Sequence, residues 1–326
     1  MTQHWIALDP AFHRLVPADA KVERIATGFA FTEGPVWRGD HLLFSDIPNS
    51  RIVRWQGLPE GPEVRTFRLE YTGSVPLGDA GHCNGMTLDA QGRLIVCGQG
   101  SRRLTRTEPD GTITVLAERF EGRRLNSPND VVAHPDGSLY FTDPPHGLPS
   151  GTEGKELPFQ GVYRLTAAGE LTLLADDFAH PNGLAFSPDR SLLYVGDDAR
   201  GQIRAFEVRA DGSLANGRLF ATIPLPATLG PGENPPDGMK VDMEGNLYVT
   251  AMGGVWLYSA DARLLGIIHL PEATANLGWG GPDWRTLFIT ASTSPRPRAN
   301  IVSKPTTTGS RTIAVENLGP SSQTMT

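Results

Sequence analysis

One pattern of apolar and polar positions recurs along the chain. A small polar or acidic residue, usually with a glycine, opens an apolar strand; a turn and a second, aromatic-rich strand follow. The copies read Glu33-Gly34-Pro35-Val36-Trp37 then Leu42-Leu43-Phe44-Ser45-Asp46; Asn84-Gly85-Met86-Thr87-Leu88 then Leu94-Ile95-Val96-Cys97; and Asn129-Asp130-Val131-Val132 then Leu139-Tyr140-Phe141-Thr142-Asp143. They continue with Asn182-Gly183-Leu184-Ala185-Phe186 then Leu193-Tyr194-Val195-Gly196-Asp197; Asp237-Gly238-Met239-Lys240-Val241 then Leu247-Tyr248-Val249-Thr250; and Asn276-Leu277-Gly278-Trp279 then Leu287-Phe288-Ile289-Thr290. Counted at positions 34, 85, 130, 183, 238 and 278, the spacings are 51, 45, 53, 55 and 40 residues. A period of about 40 to 50 residues made of strands predicts a propeller rather than a helical solenoid.

The turns agree. Ala90-Gln91-Gly92, Pro135-Asp136-Gly137, Pro188-Asp189-Arg190 and Met243-Glu244-Gly245 each separate the two apolar strands of a repeat, with Gly or Asp to supply tight-turn backbone. Outer hairpins follow, as at Val162–Leu165 with Leu171–Leu174 around Ala168-Gly169, and at Ile203–Phe206 before Asp211-Gly212. Four strands in each of six repeats predict an all-β fold: a six-bladed β-propeller with four-stranded antiparallel blades around a central channel. The expected organisation is an N-terminal segment (1–19), the propeller as catalytic domain (20–293) and a C-terminal tail (294–326). Ala20 to Gly28 offers a ring-closing strand. The tail carries Pro295 and Pro297, which oppose a ladder strand, and its only apolar pieces are Ile301-Val302 and Ile313-Ala314-Val315, so it is expected to be loosely ordered.

Composition narrows the classes. Glycine (37) and proline (27) are abundant, which favours many tight turns over a helical bundle. The net charge is −7 with no basic stripe, so nucleic acid is not an expected partner. No apolar run approaches the roughly 18 residues of a spanning helix, and Met1 to Pro10 lacks a basic region followed by an apolar stretch. A cytoplasmic monomer is the expectation. The two cysteines, Cys83 and Cys97, allow neither a disulfide framework nor a Cys₄ zinc site, and are read as reduced thiols, the alternative being that they face each other across a hairpin.

In a propeller the starts of the innermost strands converge on the axis. Four of the six repeat starts carry Glu33, Asn129, Asn182 and Asp237, two carboxylates and two amides. These hard oxygen donors suit a divalent cation, which would relieve the repulsion between the carboxylates. Calcium takes about six to eight oxygens, leaving room for water and a substrate oxygen. With no cysteine or histidine in the ring, zinc is disfavoured by softness. Each Asn-Gly or Asp-Gly alone is explained by a turn, as at Asn84-Gly85; Glu33 has no turn role.

Phe31-Thr32-Glu33-Gly34-Pro35-Val36-Trp37, Asn126-Ser127-Pro128-Asn129-Asp130-Val131, Pro181-Asn182-Gly183-Leu184-Ala185-Phe186-Ser187 and Pro236-Asp237-Gly238-Met239 resemble the signatures of the gluconolactonase/regucalcin (senescence marker protein) family. Leu88–Leu94 and Phe141-Thr142-Asp143-Pro144-Pro145-His146-Gly147 resemble its bacterial sugar-lactonase branch. The resemblance spans about residues 20 to 293 and implies a six-bladed propeller that binds one divalent metal, commonly calcium, near the middle of the channel. Glu33, Asn129, Asn182 and Asp237 occupy the motif positions of the ligands. Magnesium, manganese, zinc or ferrous iron would also be tolerated by oxygen donors. The chain departs from the family pattern after Thr293, where an aromatic closing strand is expected.

The chemistry that follows is opening of a sugar lactone, a gluconolactone-like aldonolactone, to the aldonic acid. A bound cation polarises the carbonyl, and Asp237 is the candidate base for the attacking water. Asn84, Asn126, His82, Asp143 and His146 are candidate substrate-binding residues at the pocket mouth, their donors and acceptors suited to sugar hydroxyls. Arg102, Arg103 and Arg106 read as a solvated strand face. Two alternatives stay open: a broader esterase or phosphotriesterase like diisopropyl-fluorophosphatase using the same metal, and a non-catalytic calcium-binding platform for another protein. Gly-x-Ser-x-Gly, His-Glu-x-x-His and phosphate-loop patterns do not occur.

Overall fold

The computed structural model describes residues 5–69, 83–224, 236–292 and 310–316, and holds an all-β propeller. Its sheets follow the repeats. The first contains Thr32–Trp37, Leu42–Asp46, Arg51–Gln56 and Glu63–Leu69; the second Met86–Leu88, Leu94–Gly98, Arg103–Thr107 and Ile113–Ala117. The third contains Val131–Ala133, Leu139–Asp143, Gly161–Leu165 and Leu171–Ala175; the fourth Pro181–Phe186, Leu192–Asp197, Gln202–Val208 and Leu214–Thr222. Within each, neighbours in sequence pair antiparallel.

Two further sheets involve the chain ends. Met239–Val241, Leu247–Ala251, Gly254–Tyr258 and Leu264–His269 form one, and Trp5–Ala7 adds to its outer edge as a fifth strand. The expectation of uniformly four-stranded blades is corrected there. The edge left open by Leu264–His269 offers free backbone groups, and Gly266 lacks the Cβ that would strike Ile6 O and the Phe12 ring. The other sheet runs Ala273–Gly280, Thr286–Ser292, Ser310–Glu316, Lys21–Phe29. A loosely ordered tail is therefore corrected for residues 310–316, which are hydrogen-bonded on both sides. Pro295 and Pro297, which argued against a strand, lie outside the described residues, and the pairing falls on the apolar Ile313-Ala314-Val315 segment. A two-stranded ribbon, Arg119–Phe120 with Arg123–Arg124, belongs to none of these sheets.

The second strand of each repeat is covered on both faces, which is why its sequence is a continuous apolar run rather than an alternating one. Tyr140, Tyr194, Tyr248 and Phe44 are fully buried on these strands. Core clusters lie between neighbouring sheets, so the core is divided among the inter-sheet spaces instead of filling the axis. One such space takes in the short helix Phe12–Leu15, whose Phe12 and Leu15 pack with Leu265, Ile268 and Leu287. Burying a side chain of that size contributes roughly 1.5–3 kcal/mol.

The predicted hairpin turns form as read. Asp89, Asp136, Asp189 and Asp242 each accept the N–H two residues on through Oδ1 or hold the following strand start. Gly137 supplies φ +85° in one of these turns, while Arg190 sits at +64° in the turn that lacks glycine. Cys83 and Cys97 are buried and are not joined in a disulfide; the Cys83 thiol donates to Arg51 O.

Candidate active site

The starts of the inner strands interlock around the axis. Gly34 faces Asn84 O, where a Cβ would lie at 2.4 Å; Gly85 faces Asn129 O and Asp130 Oδ1; Gly183 faces Asp237 O; Gly238 faces the Asn276 side chain; Gly278 faces Pro35 O. Glycine is needed here for close approach rather than for a turn. Hydrogen bonds follow the same circuit. Gly85 N–H donates to Asn129 O at 2.8 Å, Gly183 N–H to Asp237 O at 3.2 Å, and Gly238 N–H to Ala275 O at 2.8 Å. Hydroxyls at the ends of the second strands complete it: Ser45 donates to Asn84 O, Thr142 to Asn182 O and Thr250 to Ala275 O, each at 2.7 Å.

Glu33, Asn129, Asn182 and Asp237 all occupy this ring and are buried, between 1 and 7% exposed. Glu33 Oε2 accepts its neighbour Gly34 N–H at 2.8 Å. Asn182 Nδ2 donates to Asp198 Oδ2 at 3.0 Å, which turns the amide oxygen to the opposite side. Two carboxylates and two amide oxygens buried in one ring are a donor set that fits a hard divalent cation. Asp130, one residue beyond Asn129, is a further buried acid; burial pushes its carboxyl up, against the opposing pull of Lys240 and the Val131 N–H.

The candidate substrate-binding residues divide. Asn84 is buried in the ring and its carbonyl is engaged by Ser45. His82 lies outside the described residues. Asn126 and Asp143 are fully buried and hold each other: Asp143 accepts the N–H groups of Asn126 and Ser127 at 2.7 Å, while Asn126 Nδ2 donates to Asp143 O and Phe159 O. The same device recurs in register. Asp46 accepts from Ala30 N and Phe31 N, and Asp197 from Ala179 N and His180 N. In the first, third and fourth repeats an aspartate at the end of the second strand thus pins the loop leading into the first. Burial pushes the Asp143 carboxyl up to about 7, against the two N–H groups that pull it down.

His146 lies beside Asp198, whose carboxylate accepts the Asn182 amide of the ring. His146 Nε2 lies 2.8 Å from Asp198 Oδ2, and His180 Nδ1 lies 3.1 Å from Asp198 Oδ1. The imidazoles meet edge to face at 5.0 Å. His180 and Asp198 were not among the sequence candidates. The available signal was the doubled acid Asp197-Asp198, where the first and third repeats carry Asp46-Ile47 and Asp143-Pro144. Arg102 also differs from its reading as a solvated residue: it is 7% exposed and donates to Leu125 O and Gly154 O. Arg106 remains on the partly open strand face, paired with Glu108.

Residues 31–293 match the family described as the SMP-30/Gluconolactonase/LRE-like region. A gluconolactonase from Zymomonas mobilis is 32% identical over 294 residues, 87% of this chain and 82% of its own. A pentonolactonase from Haloferax volcanii is 28% identical over 277 residues, 82% of this chain and 84% of its own. A solved gluconolactonase from Xanthomonas campestris, 33% identical, superposes with a TM-score of 0.76 over 96% of this chain and 94% of its own. With the family model matched over residues 31–293 and a gluconolactonase 32% identical across most of both chains, the chain belongs to the SMP-30/gluconolactonase family.

Proposed function

We propose that the protein is a divalent-metal-dependent lactonase, a carboxylic ester hydrolase that opens a sugar lactone to the aldonic acid. The observation that carries this reading is the ring of four buried oxygen donors in a chain whose relatives include a gluconolactonase and a pentonolactonase. Glu33, Asn129, Asn182 and Asp237 would hold the cation, calcium being favoured by the all-oxygen set. When bound, the cation supplies Lewis-acid polarisation of the lactone carbonyl. Asp237 accepts a proton from the attacking water, whose oxygen bonds to the carbonyl carbon. The bond from that carbon to the ring oxygen breaks, and the proton passes to the departing oxygen, leaving one acid and one hydroxyl. Burial of Asp237 and Glu33 excludes bulk water from the carboxylates and strengthens their hold on a cation.

Within the same reading the propeller has six blades, the five-stranded sheet counting as a blade with Trp5–Ala7 added at its rim. Support comes from the inner strands, which contact one another in sequence order and return to Thr32–Trp37 through Ala273–Gly280. The catalytic propeller spans 20–293 plus the strand at 310–316, and the protein acts as a cytoplasmic monomer.

The test is hydrolysis of a panel of aldonolactones, followed by acid release, with chelator-stripped protein and with each metal restored. Spontaneous opening is subtracted. Turnover that is lost on stripping and restored by one metal supports the reading. A folded, metal-loaded protein that opens no lactone faster than buffer overturns it.

A further inference from the structure

We infer that His146, His180 and Asp198 form a second metal site, built for a transition-metal dication of the zinc class and separate from the oxygen ring. One ligand atom from each of the three residues lies within 4.8 Å of the others. The set is two imidazoles and one carboxylate. Imidazole nitrogen is a softer donor than any in the ring, so the two sites differ in the metal they select. Three protein ligands on zinc leave a position for water or a substrate oxygen.

The second observation concerns His146. Its Nε2 is buried and 2.8 Å from Asp198 Oδ2, yet it lies out of line for a hydrogen bond and has no hydrogen-bond partner. A nitrogen and a carboxylate oxygen so close, with no hydrogen directed between them, are suited to facing a common cation. A buried imidazole nitrogen with no partner otherwise costs free energy.

The scaffold holds the three ligands firmly. Asp198 is fully buried. Its N–H donates to His180 O at 3.0 Å, which fixes the backbones of two ligands against each other. The His180 N–H is also held by Asp197, and Gly147, next to His146, donates its N–H to Ser127 Oγ at 2.9 Å. The Asn182 amide donates to Asp198 Oδ2 and lies between the histidine site and the ring.

The experiment is metal binding, independent of lactone turnover. Stripped protein in a large excess of calcium is titrated with zinc, and uptake per chain is measured. Expected is one zinc per chain, with about 10-fold or greater loss of affinity in His146→Gln and in His180→Gln, and retained uptake in Glu33→Gln/Asp237→Asn. Absence of zinc uptake, uptake indifferent to both histidine changes, or uptake lost with the ring variant overturns the inference. Imidazole ¹⁵N resonances of the unmodified chain provide a readout that needs no variant. Zinc must shift two of the eight histidines, and a titration that moves none of them overturns the site.

Discussion

Asp198 orients Asn182: its Oδ2 accepts the side-chain N–H at 3.0 Å, while the Asn182 backbone carbonyl is fixed by Thr142 at 2.7 Å. The amide is thus set by two neighbours, and its oxygen is aimed without help from a cation. Removing the acceptor frees the amide to rotate. Asp198→Ala is expected to weaken calcium binding at the ring by about 10- to 100-fold, the usual effect of removing a group that orients a ligand. Calorimetric titration with calcium checks it; an unchanged affinity would show that the ring orients Asn182 by itself.

Asp237 and Glu33 are the two carboxylates of the ring. Asp237→Asn and Glu33→Gln keep shape and remove charge, so the fold should persist while turnover on the best lactone falls by about 100-fold or more. Circular dichroism and steady-state rates on the same preparations decide the matter. Near-normal turnover in either variant would remove that residue from the mechanism.

Gly183 and Gly238 bring neighbouring inner strands together. A Cβ on either would lie 2.1 Å from an oxygen of the next repeat, Asp237 O or Asn276 Oδ1. Gly183→Ala meets backbone and should destabilise by about 2 kcal/mol or more. Gly238→Ala meets chiefly the Asn276 side chain, with the Asn276 Cα at 2.7 Å the one backbone atom among its nearest contacts, and should cost less. Urea unfolding ranks the two, and the reverse order would mean that the Asn276 side chain is the more rigid obstacle.

Asp143 predicts a slope of stability with pH. Its carboxyl rises from 3.8 to about 7 on folding, so the folded state binds the proton more tightly than the unfolded chain. The resulting stabilisation is complete below the unfolded value and is lost as pH rises through about 7. At about 1.4 kcal/mol per pKa unit, the whole change is on the order of 4 kcal/mol. Denaturation midpoints should fall as pH rises from about 4 to about 7 and level off above it, and Asp143→Asn should flatten the fall even though it weakens the loop. An equal slope in the variant would assign the pH dependence to another group.

The parts of the molecule legible in the sequence were local. Strand periods, the Asp-stabilised hairpins and the inner-strand starts are written within stretches of ten residues or so, and they located the ring. The rest depends on contacts between distant segments. Asp143 looked like a pocket residue until it was set beside Asp46 and Asp197, whose buried carboxylates hold the equivalent loops. His180 precedes Pro181-Asn182-Gly183 with no pattern of its own; only the fold brings it to Asp198 and His146. Trp5–Ala7 is too short to stand out and Ser310–Glu316 carries only the brief apolar run Ile313-Ala314-Val315, and each becomes a strand because an edge awaits it.

The sheet that combines Lys21–Phe29 with Ser310–Glu316 also sets a schedule for the chain's birth. Lys21–Phe29 is among the first strands made, and its partner is among the last. At about 5–20 residues per second, the early strand waits on the order of 15–60 s for the segment that covers it. The earlier-paired sheets have their neighbours within a few seconds. Closure of the circle is therefore paced by the ribosome rather than by the search for contacts: Phe29 has Phe44 to pack on early, while the backbone edge of Lys21–Phe29 stays open until its partner strand arrives.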